Sequence, residues 1–346
     1  MLKQLGQEIS LCHKIQSLVL SIQQFYFINL NKFYIQFFNN SLRGEIIQDK
    51  SSPSQPQFWN LVYNCSQLQK INIILENNKI EYTGLCFLIC DISKCKNLIS
   101  LTLNLSKNNI QAIGAIQLGQ ELHNCKKLSN LDLNLSENKI KNSGVQILGS
   151  EICKCQFLKQ LTLDIMNNKI NDESCIQFIL KIAILTNLQV LRINFQKNKF
   201  SDQITSILGQ EIAKFINLSQ LVLHLGSNEL TEHSTSQLFQ GIHHLIFLKD
   251  LQISFCKNQI FSQGLKSFVD IVSKMNHLVS LNANFKKCRI KEQELRNILT
   301  EMKKMKKLKM LVFNFKENNF TSAIVQKCKQ IILKNLIRLL LLKIDY

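Results

Sequence analysis

The sequence predicts an α/β solenoid, with an inner parallel β-sheet backed by outer helices. The first of three observations behind this is a 30-residue offset that lays Leu98-Ile-Ser-Leu-Thr-Leu-Asn-Leu-Ser-Lys-Asn-Asn-Ile110 onto Leu128-Ser-Asn-Leu-Asp-Leu-Asn-Leu-Ser-Glu-Asn-Lys-Ile140. Second, the apolar spacing inside each unit changes from two to three and four, the change from strand to helix. Third, an Asn recurs at the same place between the two halves. Self-similarity at a fixed period of this length is the signature of a stacked repeat architecture.

The frame starts at Leu68, Leu98, Leu128, Leu158, Leu188, Leu218, Leu248, Leu278 and Leu308 without a slip. In the strand, Leu101, Leu103 and Leu105 alternate with polar residues, so one face is buried. The turn carries Asn78, Asn108, Asn138, Asn168, Asn198, Asn228, Asn258 and Asn318, and the Leu278 repeat has Cys288 instead. Eight amides in register read as a ladder that bonds the backbone of adjacent turns. The helix follows in Gly114-x-x-x-Leu118-x-x-x-Leu122-x-x-Cys125-x-x-Leu128, whose spacing gathers the apolar residues on one face. A tenth strand is expected from Leu336, two residues early. No repeat can bury its apolar face alone, so neighbours must stack to form a continuous core.

This unit resembles the leucine-rich repeat family, Leu-x-x-Leu-x-Leu-x-x-Asn/Cys-x-Leu, and its helix-bearing ribonuclease-inhibitor-like class in particular. The resemblance covers about residues 68–344, and this chain adds an extra x-Leu step to the strand, as Leu105 and Leu135 show. It implies a curved horseshoe and a non-catalytic interaction scaffold that binds a protein on its concave strand face without a cofactor. A Ran-type GTPase activator is the alternative it implies. Arg192 is the only Arg on the strand face, and the acidic tail typical of those activators is absent.

Three segments are expected. Residues 1–22 form a partial repeat, since Leu5-Gly-Gln-Glu-Ile9 followed by Leu18, Leu20 and Ile22 overlays Leu208-Gly-Gln-Glu-Ile212 followed by Leu221, Leu223 and Leu225. Residues 23–57 hold Phe25, Tyr26, Phe27, Phe33, Tyr34, Phe37 and Phe38 and both prolines. They read as an irregular insertion, with a packed loop, a partner-binding element and a gene-model error all open. Residues 58–346 are the array. Its ends lack polar caps, from which self-association or derivation from a longer protein is expected.

Hydrophobic residues make up 45% and charged residues 19%, which excludes disorder. No signal-peptide pattern or long apolar run is present, so a cytoplasmic protein with reduced thiols is expected. Cys12, Cys65, Cys95, Cys125 and Cys155 share the frame position of Leu185, Phe215, Leu245, Met275 and Met305. That position wants a buried apolar side chain, so these cysteines read as core, and no metal site is assigned. No motif for a nucleotide phosphate, an acyl nucleophile or a His-Glu-x-x-His zinc site occurs. The net charge is +18, but only five of 42 basic residues are Arg, a bias of the kind an AT-rich genome such as a ciliate's imposes.

Candidate functional residues are those that packing does not dictate. On the strand face these are Asn104, Asp132, Asn134, Asp164, Arg192, Asn194 and His224, expected to form one polar strip. At the turns, Lys107, Lys139, Lys169, Lys197, Lys199, Lys257, Lys287 and Arg289 line a basic rim, and Lys303, Lys304, Lys306, Lys307 and Lys309 form a second cluster. Such stripes favour an acidic protein partner. Nucleic acid is disfavoured because aromatic interleaving is missing, and a basic membrane-surface binder stays as a further alternative.

Overall fold

The computed structural model describes residues 68–292, 295, 299–336 and 338–346, and the strand backbones at 17–21, 33–37 and 44–46. The chain divides into two compact units, residues 1–168 and 169–346.

In the first unit the strands are β1 (Ser17–Ser21), β2 (Phe33–Phe37), β3 (Gly44–Ile46), β4 (Lys70–Ile74), β5 (Ser100–Asn104), β6 (Asn130–Asn134) and β7 (Gln160–Asp164). Their order is β7-β6-β5-β4-β1-β2-β3. Strands β4 to β7 and β1 are parallel, with Leu18 beside Ile71, Ile71 beside Leu101 and Leu101 beside Leu131. Helices α1 (Glu81–Ile92), α2 (Gln111–Leu122) and α3 (Lys141–Ile152) alternate with them.

The second unit contains α4 (Asp172–Ile182), β8 (Val190–Asn194), α5 (Asp202–Ile212), β9 (Gln220–His224), α6 (Glu232–Ile242), β10 (Asp250–Ser254), α7 (Phe261–Val272), β11 (Ser280–Asn284), a 3-10 turn at Glu301–Lys304, β12 (Met310–Asn314), α8 (Ser322–Asn335) and β13 (Leu341–Asp345). Strands β8 to β13 run parallel in sequence order. Both units are thus α/β leucine-rich-repeat solenoids, in which the strands from β4 to β7 and from β8 to β12 run parallel at a 30-residue offset and alternate with helices.

The inward residues of each strand are wholly buried, among them Leu101, Leu103, Leu131, Leu133, Leu221 and Leu223. The extra x-Leu step has a packing role. Leu75, Leu105, Leu135 and Ile165 in the first unit, and Phe195, Leu225, Phe255, Phe285 and Phe315 in the second, form buried columns beneath the strand exits. Phe255 and Phe285 stack at 5.7 Å, and Phe285 and Phe315 at 6.1 Å. Cys95, Cys125 and Cys155 are buried where the repeat frame puts an apolar residue. Burial pushes the Cys125 thiol up to about 11 and the Cys155 thiol up to about 12, so both stay protonated and inert. Cys12 and Cys65 lie outside the described residues.

The turn amides form the expected ladder. The Asn138 Oδ1 accepts from Asn108 N at 2.8 Å and Ile110 N at 3.2 Å, while its Nδ2 donates to Leu105 O at 2.7 Å and Ser136 O at 3.1 Å. The pattern recurs at Asn108, Asn228 and Asn258. Where Cys288 interrupts it, the thiol donates to Phe255 O at 3.2 Å and keeps the donor half of the amide's work.

Two expectations change. The last strand pairs Met310 with Leu341, so it comes one residue late rather than two early. Helix α8 has 14 residues where α4 to α6 have 11, which makes Leu336 its C-cap instead of a strand residue. The segment 23–57, expected to be irregular, contains β2 and β3, which pair antiparallel with Phe33 beside Ile46; its remaining residues lie outside the described residues, as do 1–16. Among the described residues no helix is long and apolar enough to cross a membrane.

Candidate functional site

Alternation that buries Leu131 and Leu133 leaves Asn130, Asp132 and Asn134 on the opposite side of β6. In the first unit the register sets Asp132 between Thr102 and Thr162, and Asn134 between Asn104 and Asp164. Neighbouring parallel strands lie about 4.8 Å apart, so these residues form one amide and carboxylate patch. In the second unit Arg192 lies beside Val222, and Asn194 beside His224. The seven residues expected as one strip therefore fall four in the first unit and three in the second, and each set is a patch by itself.

The second face position also has a local job. Asn104 Oδ1 accepts from Ser106 N at 3.2 Å, Asn134 Oδ1 from Ser136 N at 3.1 Å, Asp164 Oδ1 from Met166 N at 2.9 Å and Asn194 Oδ1 from Gln196 N at 3.1 Å. Asn284 and Asn314 do the same. A side-chain oxygen that takes the amide two residues on is an Asx turn, which bends the chain out of the strand. These residues thus hold the turn and present their remaining polar atoms on the face.

Arg192 is held by its neighbours. Its Nη2 donates to Gln220 Oε1, and Gln220 Nε2 donates to Asp250 Oδ2 at 2.5 Å. Gln252 Nε2 and His224 Nε2 are 3.1 Å apart, with the amide as donor. Gln220 and Asp250, the first residues of β9 and β10, join Arg192 in this polar cluster and are absent from the residues expected from the sequence. The same period of two, run one step back from Val222 and Gln252, places them on the face.

The basic rim occupies an unusual backbone. Lys107, Lys139, Lys169, Lys197, Lys199, Lys257, Lys287 and Arg289 all have φ between 54° and 66°. This is the left-handed region, where a side chain is disfavoured and Gly or Asn is preferred. The two left-handed positions flank the ladder Asn and close the turn around it. All eight are exposed, but their charge is partly answered. Lys107 pairs with Glu76 at 3.4 Å, Glu317 sits 2.7 Å from Lys286 and 4.0 Å from Lys287, and Lys139 donates to Asn109 at 3.3 Å.

No protein-family profile and no curated protein matches the chain. Among solved structures it is similar to internalin C2 from Listeria monocytogenes, at 17% identity over 82% of this chain and 83% of that one, with a TM-score of 0.34. It is similar also to the Rad7 and Elc1 complex in yeast, at 14% identity over 81% of this chain and 71% of that one, with a TM-score of 0.47. The fold assignment rests on the strand register and the Asn ladder.

Proposed function

We propose that this chain is a non-catalytic scaffold of the ribonuclease-inhibitor-like class, acting in the cytoplasm and binding a protein on its strand faces. One observation carries the reading. A single frame position, fixed in place by five-residue strands in one register, holds Asp132 and Thr162 in the first unit and Arg192, Val222 and Gln252 in the second. The core and the ladder dictate their own residues, whereas packing leaves this column open to a partner's requirements. Acidic and amide groups in the first unit, and Arg192, His224, Gln220 and Asp250 in the second, give hydrogen-bonding complementarity without a cofactor. The basic rim supports an acidic partner. The GTPase-activator reading gains nothing, because Arg192 is engaged with Gln220 rather than extended as a finger.

Photo-crosslinking tests the proposal. Benzoylphenylalanine at Thr162 or Val222 is expected to yield one discrete adduct, and the same group on the helix surface at Gln146 none. Adducts from the helix position alone would overturn it.

A further inference from the structure

A surface unlike the strand face lies at the opposite end of the strands, where each helix turns back to enter the sheet. In the second unit these turns are joined by the backbone. Lys249 N donates to Ser219 O at 2.9 Å, Val279 N to Lys249 O, Lys309 N to Val279 O, each at 2.8 Å, and Leu340 N to Lys309 O at 2.7 Å. The tips just before them therefore line one edge, about 4.8 Å apart per strand.

That edge is divided by chemistry. Ile216, Ile246 and Phe247, at the tips that precede β9 and β10, are 60%, 65% and 57% exposed. Two strands further on, Lys306, Lys307, Asn335 and Arg338 line an open cavity of about 300 Å³. Lys306 Nζ reaches Asn335 O at 3.3 Å, against the carboxyl end of α8. Among the described residues none of Lys306, Lys307 and Arg338 forms an ion pair, although the nearby Lys304 pairs with Glu301. Three cations around one cavity, unanswered by carboxylate, fit a phosphorylated group.

We infer that this strand-entry edge docks on an anionic phospholipid bilayer, with the Lys306–Lys307–Arg338 cavity receiving a lipid phosphate and Ile216, Ile246 and Phe247 entering the acyl boundary. Charge complementarity selects the occupant, since clustered Lys and Arg are drawn to anionic leaflets. The form of the apolar part agrees. These side chains stand on turn tips rather than in a groove, so they suit insertion among lipids better than the seating of a peptide.

The test is co-sedimentation with vesicles of phosphatidylcholine alone and of phosphatidylcholine mixed with phosphatidylserine. The wild type is expected to sediment with the mixed vesicles only. Lys306→Ala/Lys307→Ala/Arg338→Ala is expected to lose about a hundredfold in affinity, and Ile246→Ser/Phe247→Ser about tenfold. All these residues are exposed, so melting temperatures should be unchanged. Lys197→Ala/Lys199→Ala/Lys257→Ala removes the same charge from the opposite edge of this unit and should bind as wild type. An equal loss in that control would mean that net charge alone drives binding, and the assigned edge would be wrong. Absence of vesicle binding by the wild type overturns the inference, as does binding only to immobilised polyglutamate, the sign of an acidic protein ligand.

Discussion

At the scale of single residues, the turn Asn shows how one side chain can hold a repeat. Asn138→Leu strands the Asn108 and Ile110 amides and the Leu105 carbonyl, each at a cost of about 1–3 kcal/mol. A clear drop in Tm is expected, and Asn138→Cys should lose less, because Cys288 shows that a thiol can still donate at this position. The rim lysines make a converse prediction. Lys139 sits at φ 58°, so Lys139→Gly should hold or raise Tm, whereas Lys139→Val should lower Tm through a loss of about 1–2 kcal/mol in stability. His277 supplies a pH dependence. Burial holds its imidazole below the ordinary 6.5, the charges of His243 and Lys307 add to this, and a hydrogen bond to the Leu245 backbone opposes it. Its Nε2 is buried without a partner. The unfolded chain therefore takes a proton where the folded one does not. Stability is full above 6.5 and falls as the pH drops below it towards the folded value. Urea denaturation at about pH 7.5 and about pH 5.5 should show this slope reduced in His277→Phe, the substitution that Phe247 models one repeat earlier. The ladder was legible in the sequence because eight Asn stand in register. The Asx turns at Asn134 and Asp164 were not, since a polar residue at a strand end has the same appearance whether it serves the turn or a ligand.

At the scale of elements, the helices stack at distances that particular residues permit. A Cβ on Gly241 of α6 would lie 1.7 Å from Gly209 O of α5, so the two helices meet backbone to backbone there. Gly241→Ala must push them apart, and a loss of about 1–3 kcal/mol or more is expected, read as a lowered Tm. Gly226→Ala would meet the Cys256 sulfur at 2.4 Å, a movable side chain, and should cost less. Inter-repeat caps add to the same layer. Asp202 accepts from Thr231 N at 2.8 Å and from the hydroxyls of Thr231 and Ser234, and Asp172 likewise takes Ser201 N at 3.1 Å. Strands and helices from Leu68 onwards were legible because alternation and helical spacing agree with each other. The final strand was misplaced because Leu339-Leu-Leu-Leu342 has no alternation to set its register. The strand at 33–37 was missed because aromatic residues outnumber polar ones there, the one at 44–46 because three residues are too few to show alternation, and no second copy of the segment exists to reveal a frame.

At the scale of the whole molecule, the charge of +18 is distributed over both units, and the sequence does not separate a binding charge from a compositional one. The structure gives two grounds for discrimination. Rim lysines have partial partners in Glu76 and Glu317, while Lys306, Lys307 and Arg338 surround a cavity. A partner held by surface charge should leave in high salt, whereas one seated on the strand face should survive it. The most direct measurement is therefore affinity capture from the source organism's lysate at low and high salt. It compares the wild type with folded Asp132→Ala/Asp164→Ala and Arg192→Ala/His224→Ala variants. The scaffold account predicts a defined protein that the wild type retains at high salt and that at least one variant loses. Capture that vanishes with salt and is indifferent to both variants would contradict it.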